Sequence, residues 1–75
     1  MIFETLNSVY RVDVREDGQF DVTKIEELKD SSFNAVGVPR VSPFMSIQVG
    51  HRATFDGWST SRVTKIRQQP AREAR

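Results

Sequence analysis

The chain has 75 residues, 37% hydrophobic and 28% charged, with a formal net charge of +1. This length makes one domain with a small core, burying about 60% of the unfolded chain's surface. The absence of cysteine excludes disulfides, thiol catalysis and cysteine-ligated metal sites, and no apolar run approaches the roughly 18 residues of a membrane-spanning helix.

The N-terminus, Met1-Ile2-Phe3-Glu4-Thr5, lacks a basic segment followed by an apolar one. No secretory signal is read, and a cytoplasmic setting is expected. From there apolar residues alternate: Tyr10, Val12 and Val14 share one parity, while Arg11 and Asp13 lie on the other. That is a half-buried strand over 9–14. Asn7-Ser8 reads either as a tight turn after a first strand or as a bulge within one long strand.

Arg15-Glu16-Asp17-Gly18-Gln19 is a polar connection, and Phe20 and Val22 resume the alternation. A hairpin of 9–14 against 19–23 is predicted. Thr23-Lys24-Ile25-Glu26 has the form of a capping box, so the next residues to Lys29 form either one helical turn or an extended continuation.

Residues 30–43 are the least regular stretch. Pro39 and Pro43 exclude a central strand, and Gly37 is a turn residue. Yet Phe33, Val36, Val38 and Val41 are apolar. They either plug an open end of the fold or stay exposed and meet a partner. Phe33, Val36, Val38 and Arg40 are therefore the candidate partner loop.

A strand is predicted over 44–49, with Met45, Ile47 and Val49 on one side. Gly50-His51 then makes a turn or bulge. Phe55-Asp56-Gly57-Trp58 is a strong signal for a two-residue hairpin, with both Asp56 and Gly57 at positive φ. Phe55 and Trp58 would face each other across it. A last strand covers 61–66, where the opposite parity of Val63 and Ile66 predicts a bulge. Residues 68–75 hold no large apolar side chain and read as a flexible tail after a single β domain over 1–67. The fold class is mainly β, with five or six short strands and at most one helical turn. It reads as a small antiparallel barrel or bent sheet of SH3-like or OB-like scale.

Catalytic chemistry needs converging groups, and few are present. His51 is the only histidine. Asp13, Glu16, Asp17 and Asp21 cluster about the first hairpin turn but lack the ligand order of a calcium loop. Ser59, Thr60 and Ser61 lie near His51 without a Gly-x-Ser-x-Gly elbow or a carboxylate to orient the imidazole. No glycine-rich phosphate loop occurs. No catalytic, metal or cofactor residue is assigned, and an enzyme is not expected.

Charge is uneven. Residues 1–30 carry eight acids and four bases, whereas residues 31–75 carry two acids and seven bases. The two halves either pair with each other or leave a basic face for a polyanion or an acidic partner. The candidate face is Arg52, Trp58, Arg62, Lys65 and Arg67. Lys65 and Arg67 share a face of the last strand, and Arg62 joins them only if the bulge resets the phase. A basic groove with an exposed aromatic residue is how single-strand binders hold nucleic acid. The charge division also suits a homo-oligomer in which the acidic half of one subunit meets the basic half of another.

Thr5-Leu6-Asn7-Ser8-Val9-Tyr10-Arg11-Val12-Asp13 and Thr60-Ser61-Arg62-Val63-Thr64-Lys65-Ile66 form the patterns T-x-N-S-x-Y-x-V-D and T-S-x-V-x-x-I. In these sixteen residues the chain resembles small uncharacterised proteins of actinobacteria and their phages. The resemblance implies a small β domain in a bacterial or phage setting, with no activity or site attached. A non-enzymatic protein that binds a protein partner is the leading expectation, and no membrane association is expected. A nucleic-acid-binding module and a homo-oligomeric structural protein are the alternatives.

Overall fold

The computed structural model describes residues 1–29 and 35–67. The readings of Phe33 and of a tail over 68–75 lie outside the described residues. Six strands form: β1 (Ile2–Thr5), β2 (Ser8–Val14), β3 (Phe20–Glu27), β4 (Pro39–Ser42), β5 (Arg52–Phe55) and β6 (Trp58–Arg67). All pairings are antiparallel, in the order β4-β3-β2-β1-β6-β5, and the sheet curls into a half-barrel. No helix occurs among the described residues.

The first two strands are separate, and Leu6-Asn7 joins them. Thr5 organises that turn: its Oγ1 accepts from the backbone N–H groups of Asn7 (3.2 Å) and Ser8 (3.1 Å) and donates to the Ser8 carbonyl (3.2 Å). The hairpin of β2 and β3 is longer than the alternation predicts. The capping-box residues Thr23–Glu26 stay extended because they pair along β2, with a register shift that leaves Ile25 as the extra residue. Past that shift Lys24 lies opposite Tyr10 and points inward, 2% exposed, its Nζ 3.1 Å from Glu27 Oε1.

One expectation is refined and one needs correction. The stretch over 30–43 does contain a strand, β4, but an edge strand, with Pro39 as its first residue and Pro43 just beyond its end. Proline is compatible with those positions because neither must donate to a ladder. Conversely, the strand expected over 44–49 does not form. Ser46 and Thr54 exchange backbone hydrogen bonds of 3.1 and 3.0 Å, an isolated bridge. Beyond it the chain turns, with His51 N–H donating to Gln48 and Gly50 N–H donating to Val63 on β6. Met45 and Ile47 still pack against the core, so the alternation placed these two correctly, whereas Val49 is exposed and the segment does not pair as a strand.

The hairpin of β5 and β6 forms with Phe55 opposite Trp58, their rings stacked at 4.6 Å. Its turn differs from expectation: Gly57 has φ of 82° and no non-glycine residue among the described residues has positive φ. Those signs are those of a type II turn, in which only the second residue needs the left-handed region. β6 is one continuous strand, its first half paired with β5 and its second with β1. It carries two irregularities. Thr60 and Ser61 together oppose Ala53, and Thr64 is extra between Val63 and Lys65, which is the predicted bulge. Thr60 Oγ1 repairs the first by accepting from Ala53 N–H (3.2 Å) and donating to the Ser61 carbonyl (2.7 Å). These shifts keep Trp58, Thr60 and Val63 all buried on one strand.

The core joins Phe3, Tyr10, Val12, Val22, Ala53, Phe55, Trp58 and Val63. Four aromatic rings run through it, with Phe3–Tyr10 at 5.1 Å, Phe3–Phe55 at 6.2 Å and Tyr10–Trp58 at 6.2 Å beside the Phe55–Trp58 stack. Each such pair contributes about 0.5–1.5 kcal/mol beyond its buried area.

Candidate interaction surfaces

Trp58 belongs to the core rather than to a surface. It is 9% exposed, with Phe55 stacked against it and the guanidinium of Arg40 4.7 Å from its ring centroid. A cation over an indole face contributes about 0.5–2 kcal/mol. The arrangement also means that no base can stack on that face while Arg40 covers it. Arg40, read from sequence as part of a partner loop, thus serves at least in part as a lid on the core.

The other members of the predicted basic face come together. Arg52, Arg62, Lys65 and Arg67 are all exposed. The Thr64 bulge resets the phase of β6, so Arg62 shares its outward face with Lys65 and Arg67. Arg52 and Arg62 are register partners on β5 and β6. The stripe is not uniformly free: Arg67 holds Glu4 at 3.2 Å, and Lys65 lies opposite Glu4 in register.

The remaining arginines sort clearly. Arg11 pairs with Asp13 at 3.0 Å, and Arg15 with Asp17 and Asp21 at 3.3 and 3.1 Å. These contacts engage three of the four acids clustered about the first hairpin turn. Arg52 and Arg62 pair with no carboxylate among the described residues. Two clefts meet beside them. One, of about 440 Å³, is lined by Leu6, Gly50, His51, Arg52, Ser61 and Arg62. The other, of about 470 Å³, shares Arg52 and Ser61 and extends to Asn7, Tyr10 and Trp58.

The partner-loop residues that are described lie on the surface at the other end of the sheet. Val36 and Val38 are 51% and 56% exposed. Val41, Phe44 and Val49 are exposed as well, so the segment 36–49 presents five large apolar side chains to solvent. Sequence reasoning set Val41 beside Val36 and Val38 as core plug or partner surface, but it grouped Val49 with Met45 and Ile47 on one side of a strand and gave Phe44 no role. β4 lies at the end of the strand order, and its outer edge pairs with no further strand among the described residues. Arg40, opposite Val22, faces the core side, and Val41, opposite Asp21, faces the other.

No helix among the described residues is long and apolar enough to cross a membrane. No protein-family model matches the sequence, and no curated protein or solved structure gives a significant match to it.

Proposed function

We propose that this chain is a non-enzymatic binding protein that engages another protein through the segment 36–49. The observation that carries this reading is that Val36, Val38, Val41, Phe44 and Val49 are all exposed within one short segment that contains the edge strand β4. Scattered single apolar residues on a surface are ordinary, but several along one short segment mark an interaction site.

The occupant that fits is a protein with an apolar groove. β4 turns side chains to both faces, so a flat partner meets only one of them, while a groove that receives the edge meets both. Pro39 and Pro43 limit how far a foreign strand can extend the sheet here, which favours side-chain burial over strand addition. The resemblance at the two ends of the chain supports a bacterial or phage setting, with the partner met in the cytoplasm.

A capture experiment with and without nuclease tests the reading. A partner retained after nuclease, lost with Val38→Glu and Phe44→Glu, and kept with Arg62→Gln supports it. Capture that disappears with nuclease favours nucleic acid, and a purified chain that is dimeric until Phe44→Glu is introduced favours self-association. The nucleic-acid reading draws on the Arg52–Arg62 pair rather than on Trp58.

A further inference from the structure

We propose that Arg52 and Arg62, with His51, form a binding site for a phosphate group in the cleft between Gly50-His51 and the hairpin of β5 and β6. Its lining residues lie outside the 36–49 segment, and the proposal does not rest on that segment's role.

The argument begins with like charges. Arg52 and Arg62 are directly opposed across an antiparallel pair, an arrangement that repulsion disfavours. Elsewhere in the described chain arginines are given a partner: Arg11, Arg15 and Arg67 hold carboxylates, and Arg40 lies on Trp58. Only this opposed pair has neither kind of contact among the described residues. The cleft they share, of about 440 Å³, is lined by no aspartate or glutamate. A dianion placed between them relieves the repulsion and pairs both guanidiniums at once.

The remaining lining suits the same ligand. His51 adds an imidazole to the lining. Ser61 borders both clefts, and its enclosed hydroxyl has no hydrogen-bond partner among the described residues, so it is a further donor on the lining. The residues are held by backbone contacts: Val63 N–H donates to His51 (2.8 Å), Gly50 N–H to Val63 (2.9 Å), and Leu6 N–H to Arg62 (3.1 Å). Guanidinium forks match phosphate oxygens in geometry as well as in charge. Phosphate is therefore favoured over a simple halide. The group can belong to a free oligophosphate or to a polynucleotide backbone.

Arginine side-chain N–H and backbone amide resonances of the full chain, followed during titration with pyrophosphate and separately with oligothymidylate, test the site. Saturable shifts at Arg52, Arg62 and residues 50–52, with none at Arg11 or Arg15, are expected. Arg62→Gln should weaken pyrophosphate on the order of tenfold or more, while Arg11→Gln leaves it unchanged. If oligothymidylate moves the same resonances, the source is a polynucleotide. With two phosphate contacts its affinity should then fall about sevenfold between roughly 50 and 200 mM salt. Shifts with pyrophosphate alone assign a small phosphorylated ligand. The proposal is overturned if neither titrant saturates, or if every exposed arginine shifts alike. It is overturned too if Arg62→Lys and Arg62→Gln both unfold the chain, since the guanidinium would then serve the fold.

Discussion

Ser42 Oγ accepts a hydrogen bond of 3.1 Å from the backbone N–H of Asp56, linking β4 to the turn of the β5–β6 hairpin. Those elements stand at opposite ends of the strand order, so the contact closes the half-barrel by a side chain instead of a ladder. The same hydroxyl accepts from Phe44 N–H (3.3 Å) and donates to the Phe44 carbonyl, which uses its donor and both lone pairs. Arg40 lies over Trp58 across the same seam. Ser42→Ala should therefore cost about 1–3 kcal/mol, because it strands partly buried backbone groups. Thermal denaturation checks this, and an unchanged midpoint would show that the seam does not hold the fold together.

Gly57 sits at φ of 82°, and a Cβ built there meets nothing within 4 Å. The penalty of a side chain is thus backbone strain alone. Gly57→Val should destabilise by more than about 1 kcal/mol, and Gly57→Asn by less, since asparagine tolerates the left-handed region. Equal midpoints for the two variants would contradict the turn geometry.

Much of the fold was legible in the sequence where period and turn chemistry agree. The alternation of Tyr10, Val12 and Val14 placed β2, Asp56-Gly57 placed the hairpin, and the parity break between Val63 and Ile66 placed the Thr64 bulge. Reading failed where the deciding contact is distant. Met45 and Ile47 alternate like a strand, yet one bridge to Thr54 is all the pairing their segment makes. Pro39 and Pro43 suggested a loop because nothing local reveals that this segment lies at a sheet edge. The basic face was legible in composition, but only the bulge and the ion pairs decide which of its charges are free. Trp58 was legible as a hairpin residue beside the core, but Arg40 as the residue that covers it was not, because Arg40 is distant in sequence.

Lys24 is buried beside Glu27, and taking an ammonium out of water is costly even when it is paired. Lys24→Met keeps the volume and removes the desolvation, so stability should stay unchanged or rise by about 1–2 kcal/mol. Glu27→Ala leaves the ammonium without this carboxylate and should cost roughly 1–3 kcal/mol. Chemical denaturation of both variants is the check. A large loss with Lys24→Met would mean that the ammonium makes contacts beyond Glu27 on which the sheet depends.

The Asp17 carboxylate accepts from the backbone N–H of Gln19 at 3.0 Å, and this bond, followed by those from Arg15, holds its pKa below the ordinary value of 3.8. Because folding lowers this pKa, the support Asp17 gives the turn is complete above 3.8 and fades as pH falls below it through the folded value. The Gln19 amide resonance should report that titration. A midpoint at or above the ordinary aspartate value would contradict the hydrogen bond.

Arg52 and Arg62 oppose each other without a carboxylate among the described residues. In phosphate-free buffer of low ionic strength, Arg62→Gln should leave stability unchanged or raise it by a few tenths of a kcal/mol, ~0.2–1 at most, and added salt should erase the difference. Thermal melts at two salt concentrations check this, and a marked loss at low salt would show that Arg62 is paired in the fold.

The central claim is that the 36–49 segment meets another protein. Site-specific photo-crosslinking tests it most directly, with the reactive group placed at Val38 or Phe44 and, as the control, at exposed Val14, the last residue of β2 and outside the segment. After nuclease treatment, the account predicts one dominant protein adduct from positions 38 and 44. It should be absent from position 14 and be lost when Val41→Glu is introduced alongside. Equal adducts from all three positions, or none at 38 and 44 while the folded chain is intact, would contradict it.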